Sequence, residues 1–170
     1  MADPDRDFYI SEATDIAATC ETPKGFAELQ LITLAHFVGT FSNPALSFGQ
    51  WSQSNQTADG MPAIPSYHLS KEAMDFRNAV CDSGWMSRFD WPEWMATPEA
   101  KALFASPAGV TSASKDDLER MLTALVRGER FSAGTLGDAF DKGILTAIVK
   151  RAQTLLSEGK TCPSSAPQPA

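Results

Sequence analysis

Apolar side chains recur with the 3.6-residue period of an α-helix over most of this chain. Over residues 25–41 they form a wide face that predicts one buried helix. This helix is expected to end at Asn43-Pro44, because a residue before proline is disfavoured in the helical conformation. A second face over residues 136–156 predicts a long final helix, and a break into two helices at Gly143 is the alternative. The clearest stripe comprises Leu118, Met121, Leu122, Leu125 and Val126.

Capping residues mark the predicted starts of three helices. Ser70, Thr97 and Ser114 each stand where a side-chain oxygen accepts a hydrogen bond from the first helical turn. Asp117, three residues after Ser114, completes a variant of the capping box. The helix after Ser70 directs one apolar side to the core, so we expect the thiol of Cys81 to be buried and inert.

The stretch between residues 46 and 68 differs from the helical remainder. Its apolar residues flank a polar loop at 52–60, and prolines restrict the second flank to an edge position, so two short strands are predicted. The fold class is therefore mainly α, a compact helical domain with one short β-hairpin. We expect this domain to span residues 25–159, between an acidic, partly disordered segment at 1–24 and a disordered Pro/Ser-rich tail at 160–170.

The charge balance excludes two classes of function. The chain has 170 residues and a net charge of −7, whereas general nucleic-acid binders and membrane-surface proteins depend on a basic excess. The first residues are acidic rather than signal-like, so we expect a cytoplasmic protein without membrane or direct nucleic-acid contacts. Eight acidic and two basic side chains in the first 59 residues suit a basic partner, such as a nucleic-acid-handling protein whose ligand they imitate.

Cysteine and histidine are too sparse for a metal site. Three cysteines and two histidines lie at wide spacings, whereas a structural zinc site needs about four ligands at short spacings. P-loop and dinucleotide-binding fingerprints are also absent, so neither a metal nor a cofactor is predicted. A nucleophilic pair of Cys81 and His68 requires that the fold bring the two side chains together.

Residues 85–94 are the densest aromatic segment and hold three of the four tryptophans. One interpretation is a partner-binding surface, because tryptophan is enriched among interface hot spots. The other is a corner where large side chains fill the core. Trp51 is a candidate neighbour of this segment in space. The candidate partner-binding residues are Trp85, Phe89, Asp90, Trp91 and Trp94.

A second candidate site is cationic. Arg120, Arg127 and Arg130 are separated by seven and three residues, so they are predicted to share one edge of a helix and to bind an anion through forked guanidinium contacts. The alternative is a solvated face paired with neighbouring acids. A small enzyme or ligand-binding site would instead join Arg127 and Arg130 with His68 and Asp90.

Several short segments within residues 26–156 carry a resemblance. The most specific are GW…FDWPEW at residues 84–94 and LTALVR…RF at residues 122–131, together with residues 134–151. They resemble a family of small uncharacterised bacterial proteins, a domain of unknown function. The resemblance implies a fold-level relationship and a bacterial or phage origin, and it implies no reaction. Family members commonly carry an acid where Ala133 stands, so any role of that acid is in doubt here.

These observations favour a non-enzymatic protein-interaction module, a regulator or inhibitor in a bacterial or phage setting. An acidic mimic that blocks a nucleic-acid-binding protein is one form of this hypothesis. The alternative is a small enzyme or anion-binding domain that uses Arg127, Arg130 and His68. A pocket that contains these side chains would favour the alternative, and scattered positions would oppose it.

Overall fold

The computed structural model describes residues 23–52 and 65–160, and helices form most of this part of the chain. The predicted mainly-α fold with one short β-hairpin is confirmed. The predictions for residues 1–22 and 161–170, including disorder, lie outside the described residues. The elements are α1 (Pro23–Ala35), α2 (Val38–Phe41), β1 (Gly49–Trp51), β2 (Tyr67–Leu69), α3 (Lys71–Asp82), α4 (Trp91–Met95), α5 (Pro98–Ala105), α6 (Pro107–Val110), α7 (Lys115–Glu129), α8 (Thr135–Asp141) and α9 (Ile144–Lys160).

All three predicted N-caps are confirmed. The Ser70 hydroxyl accepts a hydrogen bond from the first turn of α3, and the Thr97 hydroxyl does the same for α5. At the start of α7 the Ser114 hydroxyl accepts from the Asp117 N–H at 3.1 Å, and an Asp117 carboxylate oxygen accepts from the Ser114 N–H at 2.8 Å. These bonds satisfy backbone donors that the helix itself leaves unpaired. The starts of these helices are therefore set by local sequence.

The prediction of one continuous helix over residues 25–41 is wrong, because the segment divides into α1 and α2. At the division the Phe37 N–H donates to the Leu34 carbonyl three residues earlier, at 3.0 Å, which tightens the chain into a turn. The rings of Phe37 and Phe41 both contact Phe76, with centroids 5.3 and 5.0 Å apart. The break between α1 and α2 therefore coincides with aromatic contacts to a residue far away in the sequence, which the spacing of apolar residues does not indicate.

The single long final helix is not observed; the alternative, a break at Gly143, separates α8 from α9. Gly143 has a φ of +74°, in the left-handed region that favours glycine. Its N–H donates to the Phe140 carbonyl at 2.8 Å, which closes the end of α8. The final helix therefore begins only at Ile144.

The core is built around α9, which packs against α1, α2, α6, α7 and α8. An aromatic cluster fills one part of it, and the rings of Phe48 and Phe140 stack with centroids 4.7 Å apart. The predicted stripe of α7 is buried in full, as are five residues of α9. The buried α9 residues are Ile144, Leu145, Ile148, Val149 and Ala152.

The hairpin pairs β1 and β2 in antiparallel register, with Gly49 opposite Leu69 and Trp51 opposite Tyr67. A Cβ at Gly49 would lie 2.5 Å from the His68 carbonyl oxygen, so a larger residue would separate the strands. The Ser70 N–H donates to the carbonyl of buried Phe48 at 2.9 Å, and this bond ties the hairpin to the core. Among the described residues, no helix has the length and apolar character that crossing a membrane requires.

Candidate functional site

The aromatic segment at residues 85–94 divides into core and surface. Trp85 is fully buried and Trp94 is 8% exposed, so both rings belong to the hydrophobic core. Phe89 is half-buried and packs edge-on against Trp94, with centroids 5.8 Å apart. Asp90 caps α4 by accepting a hydrogen bond from the Glu93 N–H at 3.0 Å. Of the five predicted partner-binding residues, Trp91 alone combines partial exposure with a ring contact to another surface aromatic.

Trp85 joins the segment after α3 to both α1 and α7. Its indole N–H donates to the Gln30 carbonyl at 3.0 Å, and the Gln30 amide donates to the Gly84 carbonyl at 2.8 Å. The buried hydroxyl of Thr123 donates to the Trp85 carbonyl at 3.3 Å and accepts from the Ser87 N–H at 3.1 Å. This network fixes the backbone of residues 84–87, from which neighbouring side chains reach the surface.

The loop between α7 and α8 presents the most exposed large apolar residue in the described chain. Phe131 is 81% exposed, and its ring lies 6.1 Å from that of Trp91. Trp51 is 54% exposed and packs against Tyr67. A Cβ at Gly134 would lie 3.0 Å from the Trp51 ring, so this ring covers the end of the same loop. We call Trp51, Trp91 and Phe131 the aromatic ledge.

A groove of about 630 Å³ lies beside this loop. It forms where the last turns of α3 meet the end of α7, across the segment that Trp85 holds in place. Arg127 and Arg130 both line it, as the sequence predicted, and Arg77 adds a third guanidinium. The remaining lining residues are Cys81, Met86, Val126 and Glu129. We call this site the arginine groove.

Arg120 does not line the arginine groove, whereas the other two arginines of the predicted anion-binding set do. Seven residues separate it from Arg127, a rise of about 10 Å along a helix axis. The groove occupies only the last turns of α7, and Arg120 is exposed on an earlier turn. Shared helical spacing placed the residues on one side of α7 but did not place them at one end.

The three guanidinium groups of the groove have no carboxylate within ion-pair distance among the described residues. Arg127 donates from Nη2 to the Ser87 carbonyl at 3.1 Å, which holds its side chain in place. Arg77 makes a long contact of 3.4 Å to the Asn78 side-chain oxygen. The pairing with neighbouring acids that the alternative predicted is therefore not observed for Arg127 and Arg130 among the described residues.

The one carboxylate in the groove is already engaged. Glu129 accepts from the Gly134 N–H at 2.9 Å and from the Leu136 N–H at 2.7 Å, one bond to each oxygen. Gly134 has no side chain to cap α8, so Glu129 at the end of α7 supplies that capping function. The groove arginines therefore face a carboxylate whose two oxygens bind backbone donors.

Neither alternative that uses His68 is seen in the groove. The imidazole of His68 makes its hydrogen bond to the Ser66 hydroxyl at 3.0 Å, and Asp90 caps α4, so neither joins Arg127 and Arg130 in the groove. The prediction that Cys81 is buried is also wrong: it is exposed and lines the groove, apart from His68. In the described part of the chain, no group of three or more His, Cys, Asp and Glu side chains is arranged to hold a metal ion.

A second cavity of about 500 Å³ lies between α6 and α9. Pro107 and Ala147 contribute to a mainly apolar wall. The guanidinium of Arg151 in this wall donates to the Ala113 carbonyl at 2.9 Å and pairs with Glu158 at 3.1 Å. Its charge is thus balanced within the fold, in contrast to the charges of the arginine groove.

The sequence profile of a family of unknown function (DUF6508) matches residues 27–158. The chain belongs to this family. The resemblance inferred from the short motifs is thereby confirmed at the level of an uncharacterised domain. The match includes all residues of the arginine groove and the aromatic ledge. Comparison with curated proteins and with solved structures finds no match.

Two site residues of this DUF6508 domain escaped the sequence analysis. Arg77 was not considered, although it precedes Cys81 by four residues and therefore shares a helix face with it. Phe131 is predicted there only as the last residue of the LTALVR…RF motif. The available signal was a phenylalanine between Arg130 and Ser132 in a turn, where a buried ring is hard to accommodate.

Proposed function

We propose that this domain binds another protein through the aromatic ledge. The observation that carries the proposal is the 81% exposure of Phe131, beside the half-buried ring of Trp91. An exposed aromatic ring has a cost in water that burial in a partner removes, and about 25 cal/mol is gained per Å² of apolar area that is covered. Aromatic residues, phenylalanine among them, are also enriched at protein–protein interfaces.

The geometry of the ledge supports a partner with an apolar pocket. Phe131 projects from a short loop whose end is covered by Trp51, and Trp91 lies behind it on α4. A projecting ring with aromatic support suits insertion into a concave surface, because the surrounding contacts exclude water from the inserted residue. The roles of regulator, inhibitor and acidic mimic stay predictions, since the acidic residues 1–22 lie outside the described chain.

The test replaces Phe131 by a photo-crosslinking phenylalanine analogue in the full chain. Crosslinking in a native lysate is expected to join this position to one protein, identified by mass spectrometry. Phe131→Ser should abolish capture of that protein, whereas Ile32→Ser should not, although Ile32 is another exposed apolar residue, on α1. The free energy of unfolding of both variants should match that of the parent chain.

Two results would contradict the proposal. One is capture of the same proteins by the parent chain and by Phe131→Ser. The other is a crosslink from position 131 to a second copy of the chain, accompanied by a dimer in sedimentation velocity. The second result would assign the ledge to self-association instead.

A further inference from the structure

The arginine groove collects positive charge in a protein with a net charge of −7. Lys71, Lys115 and Arg151 each form an ion pair with a nearby carboxylate. The three groove arginines form none with any described residue, which is also true of exposed Arg88 and Lys101, but only the groove arginines line one cavity together. We propose that the arginine groove is a binding site for a small organic phosphate monoester.

The charge of the groove matches that of the ligand. Three guanidinium groups and the single carboxylate of Glu129 leave the lining with a formal charge of +2. A phosphate monoester carries a charge of about −2 near neutral pH. Planar guanidinium groups bind phosphate oxygens through paired N–H donors, and such charge-assisted hydrogen bonds are about twice as strong as neutral ones.

Part of the site is pre-organised in the free protein. The Ser87 carbonyl holds Nη2 of Arg127, which leaves the other guanidinium donors of this residue available. Ser87 is itself held by the buried hydroxyl of Thr123. Glu129 does not move to neutralise the arginines without giving up its two bonds to the start of α8. A ligand therefore binds without first breaking an ion pair.

The size and lining of the groove indicate an organic body on the phosphate. A volume of about 630 Å³ lies within the usual range of sites for small organic ligands and exceeds the needs of a bare phosphate. Met86 and Val126 supply apolar contacts beside the arginines. The adaptable thioether of Met86 suits a ligand body of irregular shape. This site is independent of the aromatic ledge, because it requires no protein partner.

Cys81 provides a local reporter of ligand binding, since it is exposed and lines the groove. The intact chain is treated with iodoacetamide, a neutral reagent, and alkylation is followed on the tryptic peptide whose sole cysteine is Cys81. Phenyl phosphate at about 10 mM is expected to slow this alkylation at least fivefold, as occupancy of a site with millimolar Kd requires. Alkylation of Cys20 and Cys162 in the same samples provides the reference.

Arginine variants test which charges bind the ligand. The double substitution Arg77→Gln/Arg130→Gln should raise the Kd of phenyl phosphate by about tenfold or more, because two charge-assisted contacts are lost. The matched control is Arg120→Gln, which removes one exposed arginine from α7 outside the groove and should leave the Kd unchanged. Phe131→Ser, which disrupts the proposed protein interface, should also leave the Kd unchanged.

Several outcomes would overturn this inference. One is that phenyl phosphate does not slow the alkylation of Cys81. Another is that Arg120→Gln loses as much affinity for phenyl phosphate as the double variant does. A third is that benzoate binds as tightly as phenyl phosphate, which would make the groove a carboxylate site. Equal affinities for inorganic phosphate and phenyl phosphate would show that the organic part of the ligand does not contribute to binding. A phosphotyrosine peptide that binds at least about tenfold more tightly than phenyl phosphate would assign the phosphate to a protein instead.

Discussion

Trp85 and Trp94 are both buried, yet their indole N–H groups differ in hydrogen bonding. The N–H of Trp85 donates to the Gln30 carbonyl at 3.0 Å. The N–H of Trp94 is buried and has no hydrogen-bond partner among the described residues. The substitutions Trp85→Phe and Trp94→Phe remove the same atoms from two buried rings, so the difference between their effects reports on the two N–H groups and on the Lys115 ammonium 5.0 Å from the Trp85 ring.

The expected energies follow from the contacts. Contraction of either indole to a phenyl ring leaves about 40 Å³ unfilled, which costs about 1 kcal/mol at about 24 cal/mol per Å³. Trp85→Phe also loses a hydrogen bond worth about 1 kcal/mol, so its total cost is about 2 kcal/mol. Trp94→Phe instead removes an unpaired buried donor whose desolvation costs about 1–3 kcal/mol, so its net effect is between about zero and 2 kcal/mol of stabilisation.

The assay is urea unfolding followed by far-UV circular dichroism, which does not depend on the removed fluorophore. We expect the free energies of unfolding of the two variants to differ by about 2–4 kcal/mol, with Trp94→Phe the more stable. An unchanged slope against urea would show that both variants unfold as the parent does. Equal destabilisation by the two substitutions would refute the reasoning, because it would mean that the hydrogen-bond state of the indoles does not matter.

Two further predictions concern the hairpin and α7. Burial, followed by the charges of Asp141 and Glu129, raises the pKa of Tyr67 above its ordinary value of 10.0, so the folded state favours the protonated phenol. The protonated phenol therefore contributes to the free energy of unfolding below about pH 10, and this contribution is lost as the pH rises through the raised pKa. In urea titrations at alkaline pH, the free energy of unfolding should fall less for Tyr67→Phe than for the parent chain. Ser114→Ala should lower the free energy of unfolding by about 1 kcal/mol, because the Asp117 N–H loses its acceptor. Thermal unfolding at fixed pH tests this, and an unchanged midpoint would contradict it.

Local signals in the sequence were sufficient for much of the fold. The caps at Ser70, Thr97 and Ser114 need only residues within one helical turn, and Gly143 needs only its own freedom to adopt a positive φ. The division between α1 and α2 was not predictable in this way, because Phe37 turns toward a ring on α3 that lies far away in the sequence. Helix propensity and the spacing of apolar residues describe one helix at a time, whereas this break depends on contacts between two helices.

Local sequence signals were also insufficient to predict the arginine groove. Ala73, Phe76 and Val80 complete the buried face of α3 at spacings of three and four. Cys81 lies about 100° further around the helix than Val80 and so faces solvent, on the side shared with Arg77. The sequence indicated arginines on α7, but only the packing of α3 against the segment held by Trp85 brings Arg77 beside them.

The capping bonds of Glu129 also set a rule for how the neighbouring loop can evolve. Its carboxylate spans five residues to Gly134 and seven to Leu136, so the distance along the chain is fixed at both ends. Substitutions at exposed positions 130–133 leave these bonds intact, whereas an inserted or deleted residue would break them and release the carboxylate toward Arg127 and Arg130. The loop that presents Phe131 is therefore free to change its side chains as long as its length stays constant.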